Sequence, residues 1–231
     1  MIRYLLVDND NTLMDFYAAE EKALRDTLLF YGLPATEEVT RLYSAINDRH
    51  WKALERGETT SDRLKMDRFA DFLHALGHDE FSAPEVADHY ENQLSTHADL
   101  LPGAEALLAA VHPYMKIALV SNGFSHIQRG RLSRSTITPY LDAVIISGEV
   151  GVGKPDPRMV EIALEALGCT DKREAVFLGD SATADIAAAS AAGIAGIHLK
   201  ADGSYSPKAT FGVRTLPEAQ ALLLSLANSN A

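Results

Sequence analysis

A parallel α/β sheet carrying an all-helical insertion is the fold this sequence predicts, and three observations predict it. Short uninterrupted apolar runs recur along the chain, the pattern of strands buried on both faces. From about residue 100 onward, helical patterns separate these runs, the rhythm of βαβ units with helices on both faces of the sheet. Between about Asp15 and His97 that rhythm breaks, and several amphipathic stretches follow one another without a β-branched run.

Taken in order, Tyr4-Leu5-Leu6-Val7 is the first strand. The insertion then opens with a helix from Glu20 to Phe30, stopped by Gly32-Leu33-Pro34, and a second from Glu37 to Leu54, ending near Gly57. A third runs from Ser61 to Leu76, between the capping residues Thr59-Thr60-Ser61-Asp62 and Gly77, and a fourth follows Pro84. Leu101-Pro102-Gly103 marks the return, so residues 1–14 and 99–231 form the Rossmann-like core and 15–98 the helical insertion. A helix from Pro102 to Val111 leads into a strand from Ile117 to Val120 and a helix from Ser125 to Ser135. The third strand is Ala143 to Ile146, and its helix, Pro157 to Leu167, ends at Gly168. The fourth strand, Ala175 to Leu178, is followed by a helix from Thr183 to Ala192 and a fifth strand from Ile194 to Leu199. Gly168 and Gly193 stand where C-caps are expected.

Composition excludes several function classes. With 47% hydrophobic and 23% charged residues, the chain has the balance of a folded globular protein. Its net charge of −11 repels phosphate backbones and anionic lipid, against non-specific binding to either. The single cysteine, Cys169, forms no internal disulfide. Asp8 ends the first apolar run too early for a signal peptide, and no stretch reaches the ~18 apolar residues of a membrane span. A cytoplasmic protein is expected, monomer or homodimer.

In an open parallel sheet, ligands bind beyond the carboxyl ends of the strands. The first strand runs into Asp8-Asn9-Asp10-Asn11-Thr12, the second into Ser121-Asn122-Gly123 and the third toward Gly153-Lys154-Pro155. The fourth opens onto Gly179-Asp180-Ser181, with Asp185 about one helical turn on. Carboxylates, a hydroxyl and a lysine would thus meet on one edge of the sheet. This set suits phosphoryl transfer: a hard cation, usually Mg²⁺, offsets the carboxylate charge, and Lys154 with Ser121 orients phosphate oxygens. One carboxylate can attack phosphorus, and another can protonate the leaving oxygen and later activate water. The expected partner is a small phosphorylated metabolite, not a nucleic acid polymer or a membrane.

These four motifs, in order and with compatible spacing over nearly the whole chain, resemble those of the haloacid dehalogenase superfamily, and the insertion resembles its C1 cap. The resemblance implies Asp8 as nucleophile and Mg²⁺ ligand, and Asp10 as general acid/base with its backbone carbonyl on the metal. Thr12 would steady the loop, Ser121 and the Asn122 amide would hold the phosphate and Lys154 would neutralise it. Asp180 would be the other metal carboxylate, with Asp185 bracing the site behind it. Dehalogenases of the superfamily lack the second aspartate, so Asp10 favours phosphate chemistry. Ser121-Asn122-Gly123-Phe124, Ile146 to Pro155, and Asn47 to Phe69 with Trp51 resemble the housekeeping pyrimidine nucleotidase branch, which implies hydrolysis of nucleoside 5′-monophosphates. A sugar-phosphate or phosphoglycolate phosphatase, a phosphomutase and a non-catalytic phosphate-ligand binder remain as alternatives.

Other patterns carry less. Gly148 to Lys154 fits a phosphate loop, but Pro155 stands where a Ser or Thr must hold the metal. His74 and His78 are spaced as zinc ligands on a helix, yet Ala75 replaces the metalloprotease glutamate and Gly77 should end the helix between them. Ser121 lacks the G-x-S-x-G context of a hydrolase nucleophile. Cys169 follows Gly168 without a reactive motif, and Trp51 and Phe16 either stack on a base or pack.

Overall fold

A computed structural model describes residues 1–228 of the chain. Six parallel strands form one sheet in the order β3-β2-β1-β4-β5-β6: β1 (Tyr4–Val7), β2 (Lys116–Ser121), β3 (Ala143–Ile146), β4 (Ala175–Gly179), β5 (Ala195–Leu199) and β6 (Phe211–Val213). The strand order reverses beside β1, between the crossover to β2 and the crossover to β4, and such a switch point opens a crevice at the carboxyl edge.

Alternation along each strand sends side chains to both faces. On one face, Leu5, Val7, Ile117, Leu119 and Leu178 pack with α5 (Ala104–Val111) and α10 (Leu216–Asn228). On the other, Leu6, Ala118, Val120 and Phe177 pack with α8 (Arg158–Leu167) and α9 (Asp185–Ala192). Leu5, Leu6 and Val7 are fully buried, so truncating Leu6 to Ala costs about 2–5 kcal/mol.

A third apolar cluster lies outside the sheet. It joins α1 (Phe16–Phe30), α2 (Glu37–Glu55), α3 (Ser61–Leu76) and α4 (Ala83–Leu94) through Leu24, Tyr43, Phe69, Phe72 and Tyr90. Ile127 of α6 (Ser125–Ser133) belongs to the same cluster and seats the helices on the sheet edge. Asp15, Thr36 and Thr60 cap α1, α2 and α3 by accepting from Ala18 N, Val39 N and Arg63 N.

The elements follow the sequence pattern with informative differences. Helix α1 begins at Phe16, a turn before the predicted Glu20, because Asp15 supplies the cap. Gly77, Gly168 and Gly193 end their helices with positive φ, as expected of C-caps. After β3 the chain forms a short helix, α7 (Ser147–Val150), where periodicity is too brief to register. Strand β6 and helix α10 lie beyond the last predicted strand; β6 has only three residues, one of them Gly212. No helix among the described residues is long and apolar enough to cross a membrane.

Candidate active site

The register of the sheet brings the predicted residues to one edge. Val7 pairs with Leu119 of β2 and Leu178 of β4, and Asp8 N donates to Leu178 O at 3.0 Å. Asp8 therefore leaves the sheet level with the ends of both neighbours. The chain then folds tightly onto Asn9, whose carbonyl accepts from Leu13 N and Met14 N at 2.9 Å. Asn11 turns this loop at φ 61°, a left-handed conformation that Asn tolerates better than most residues. Thr12 is buried, and its hydroxyl has no hydrogen-bond partner among the described residues.

Lys154 occupies the centre. Its Nζ lies 2.6 Å from Asp8 Oδ1, 2.7 Å from Asp185 Oδ1 and 2.8 Å from Val120 O. The Asn122 side chain fixes the lysine's backbone, donating to Lys154 O and accepting from Lys154 N, both at 2.8 Å. Ser121, at the end of β2, is buried beside this loop, and Gly123 N donates to Ser147 Oγ at 2.9 Å.

Beyond β4, Asp185 Oδ2 accepts from Ser181 N at 2.9 Å and closes the turn that carries Asp180. Gly179 permits this turn, since a Cβ there would overlap the Asp185 carboxylate. His198 on β5 accepts from Ser206 N at 2.9 Å through Nδ1, which leaves Nε2–H to donate to Asp180 O at 2.9 Å.

Oxygens of Asp8, Asp180 and Asp185 all lie within 4.8 Å of one another. Burial raises Asp8 well above the usual carboxylate range; Lys154 opposes this, and Asp185 and Asp180 reinforce it. Burial and the Asp185 charge push Asp180 up to about 7. Burial alone would lower the Lys154 ammonium, but the Asp185 and Asp8 carboxylates outweigh it and hold it above its ordinary value. Three crowded carboxylates against one ammonium leave an excess of negative charge in an all-oxygen donor set. That fits a hard divalent cation such as Mg²⁺.

Asp10 faces helix α6. Its Oδ1 pairs with Arg131 Nη1, and its Oδ2 accepts from Gln128 Nε2 at 2.7 Å. Above the strand-end loops, a cavity of about 260 Å³ opens toward the four helices, walled by Phe16, Tyr17, Trp51, Glu55 and Phe124. Trp51 and Phe124 have ring centroids 6.0 Å apart. Deeper in the wall, Glu20 accepts from Ser44 Oγ at 2.6 Å and Asn47 Nδ2 at 2.7 Å, while Asn47 Oδ1 accepts from Arg68 at 2.9 Å. Thr183, on the turn after Asp180, donates to Glu55 Oε2 at 3.0 Å.

Sequence reasoning did not single out Gln128, Arg131, His198, Glu20 or Arg68. For the α6 pair a signal existed, because Gln128 and Arg131 lie between the buried Ile127 and Leu132 at helical spacing. Gly77 ends the helix between His74 and His78 as expected, and the two histidines bond the separate carboxylates of Asp79 and Glu80.

Comparison with known proteins agrees with this geometry. A family model described as haloacid dehalogenase-like hydrolase matches residues 2–193. The chain is 32% identical to the pyrimidine 5′-nucleotidase YjjG of Escherichia coli over 95% of its own length and 97% of that protein's. It is also 32% identical to the pyrimidine 5′-nucleotidase PynA of Streptococcus pneumoniae, over 83% and 81% of the two chains. Among solved structures, the HAD hydrolase YfnB of Bacillus subtilis, crystallised with magnesium, superposes with a TM-score of 0.90 at 29% identity, covering 96% of this chain and 98% of that one. With its strand-end carboxylates gathered around Lys154 and this match over most of its length, the chain belongs to the haloacid dehalogenase-like hydrolases.

Proposed function

We propose that the protein is a Mg²⁺-dependent phosphomonoester hydrolase that works through an aspartyl-phosphate on Asp8 and prefers pyrimidine nucleoside 5′-monophosphates. The observation that carries the chemistry is the buried Asp8 carboxylate, held by Lys154 beside Asp180 and Asp185, with a second aspartate two residues on. In this reading residues 1–14 and 99–231 are the catalytic core, with 229–231 outside the described residues, and 15–98 are the cap.

A carboxylate oxygen of Asp8 bonds to phosphorus as the ester P–O bond breaks, and Asp10 gives its proton to the leaving oxygen. Asp10, now ionised, takes a proton from a water whose oxygen bonds to phosphorus. The bond from phosphorus to Asp8 then breaks, phosphate leaves and Asp10 is protonated again. Ser121 Oγ and the Asn122 backbone amide hold phosphate oxygens, and Lys154 offsets their charge. Thr12 steadies the loop between Asp10 and the cap. Asp185 braces Lys154 and the Asp180 turn. Mg²⁺ held by Asp8, Asp180 and the Asp10 carbonyl would offset charge on the transferring phosphoryl group.

The substrate class rests on the cavity and the relatives. At about 260 Å³ it is near the lower end of the ~300–1,000 Å³ common for ligand sites, a size for one small phosphorylated metabolite. Trp51 and Phe124 offer aromatic faces to a flat base, and Glu20 with Asn47 presents polar groups beyond them. Two relatives are named pyrimidine 5′-nucleotidases. The test is phosphate release with Mg²⁺ across nucleoside monophosphates and sugar phosphates, with Asp8→Asn as the blank. Highest kcat/KM on pyrimidine monophosphates is expected. A sugar-phosphate preference removes the nucleotidase assignment, and retained turnover in Asp8→Asn removes the covalent mechanism.

A further inference from the structure

Arg131 is among the largest fully buried side chains of the protein, with no exposed surface. Its guanidinium pairs with Asp10 through Nη1 and donates from Nε to His97 O at 2.9 Å. It lies 5.9 Å from the ring centroid of Phe16, the first residue of α1. Nη2 is buried without a hydrogen-bond partner among the described residues. One turn earlier on α6, Gln128 donates to Asp10 Oδ2 at 2.7 Å and accepts from Asn9 Nδ2 at 2.6 Å.

A buried guanidinium is costly to desolvate, and one left with an unpaired N–H is costlier still. An apolar side chain of similar volume would fill this place between α6 and the returning segment at less expense. Arg131 is therefore poorly explained as a stabilising contact. What the two α6 residues accomplish together is to take one carboxylate oxygen each, which fixes both torsions of a short side chain. A group that must deliver a proton to a leaving oxygen and later collect one from water at the same spot needs that fixed orientation.

We propose that Arg131 and Gln128 are positioning residues for Asp10, setting the orientation of the acid–base carboxylate and, through His97 O, tying it to the segment that returns from the four helices. This rests on the acid–base role given to Asp10 above.

The test uses p-nitrophenyl phosphate, whose leaving group departs without protonation. Forming the Asp8 phosphoryl bond is then insensitive to Asp10, whereas its hydrolysis still needs Asp10 as base. In Arg131→Lys and Gln128→Met, rapid mixing should give a burst of p-nitrophenol approaching one equivalent per site. Hydroxylamine-sensitive phosphoenzyme should accumulate, kcat should fall about 10–100-fold, and the wild type should show a smaller burst. On a nucleoside monophosphate, whose leaving group needs a proton, kcat/KM should fall further than on p-nitrophenyl phosphate. Loss of the burst in proportion to activity, or unchanged kinetics in both variants, overturns the proposal. Asp10→Asn separates the two levels. If it accumulates phosphoenzyme and the α6 variants do not, only the positioning role fails; if it does not, the acid–base role of Asp10 fails and this inference with it. Should Arg131→Lys not fold, Gln128→Met carries the same readouts.

Discussion

The strand-end site and the helical wall above it both bury charge, but they balance it differently. At the edge of the sheet, Asp8, Asp180 and Asp185 share one ammonium, Lys154. In the wall, the buried Glu91 alone meets Lys65 at 2.9 Å, Arg68 at 3.0 Å and His126 at 3.3 Å. Around Glu91 the buried charge is met in full, and Glu20, Asn47 and Arg68 are locked in one hydrogen-bond chain beside it. The edge carries unbalanced negative charge, which the fold sustains at a cost that a cation can relieve. An imbalance of this kind marks the place where chemistry is done; a balance marks the place where shape is kept.

The largest expected effect comes from making the imbalance worse. Lys154→Met leaves Asp8 and Asp185 without their cation, which costs about 3–5 kcal/mol. With about 2–4 °C lost per kcal/mol in a chain of this size, differential scanning calorimetry at neutral pH should show a fall of roughly 10 °C. The deficit should shrink toward pH 5 as Asp8, already raised by burial, takes up a proton. An equal deficit at both pH values would mean that packing, not charge, is what Lys154 supplies.

Relieving the imbalance should act in the opposite direction. Asp180 is pushed up to about 7 by burial and Asp185, so its ionisation costs the fold nothing near pH 4, progressively more toward pH 7 and the full amount above. Without metal, Asp180→Asn should melt above the wild type at pH 8 and level with it near pH 4. Mg²⁺ should raise the wild-type midpoint at pH 8 and leave the variant's unmoved. A variant that still responds to Mg²⁺ would remove Asp180 from the metal site.

In the wall, effects should fall on substrate choice. Trp51→Ala should lower kcat/KM for nucleoside monophosphates about tenfold, within the ~1–3 kcal/mol of a base stacked on an aromatic ring. Half-saturation by Mg²⁺ should not change, and an unaltered substrate profile would reduce Trp51 to packing. Smallest is the bond between the two regions, Thr183 to Glu55. Thr183→Val should raise KM about two- to fivefold, in keeping with ~0.5–1 kcal/mol for one hydrogen bond, and a change confined to kcat would contradict a bridging role.

This contrast also explains what could be read from the chain. Asp8, Ser121, Lys154 and Asp180 were legible because each follows an apolar strand, and strand ends in a parallel sheet share an edge. The sheet was legible up to β5 for the same reason. Arg131 and His198 were not, because an arginine in His126-Ile127-Gln128-Arg129-Gly130-Arg131 has the composition of a solvated face. Its spacing of four residues from the apolar Ile127 is the one inward signal, and the packing of α6 against Asp10 and His97 shows that it is buried. The wall's Glu20, Asn47 and Arg68 come from three helices, and no spacing along the chain joins them.

The position of β1 in the sheet has a consequence in time. Its two partners follow the whole insertion, with Tyr4 beside Lys116 on one side and Ala175 on the other. At about 5–20 residues per second of synthesis, roughly 10–35 s separate Tyr4 from Ala175. Helices α1 to α4 are complete well before the second partner exists, and their contacts are mostly with one another. Meanwhile Leu5, Leu6 and Val7, apolar toward both faces, wait without a sheet, a segment at risk of pairing with other chains. In a nascent chain, Asp8 is made before either of the strands that flank it in the finished sheet.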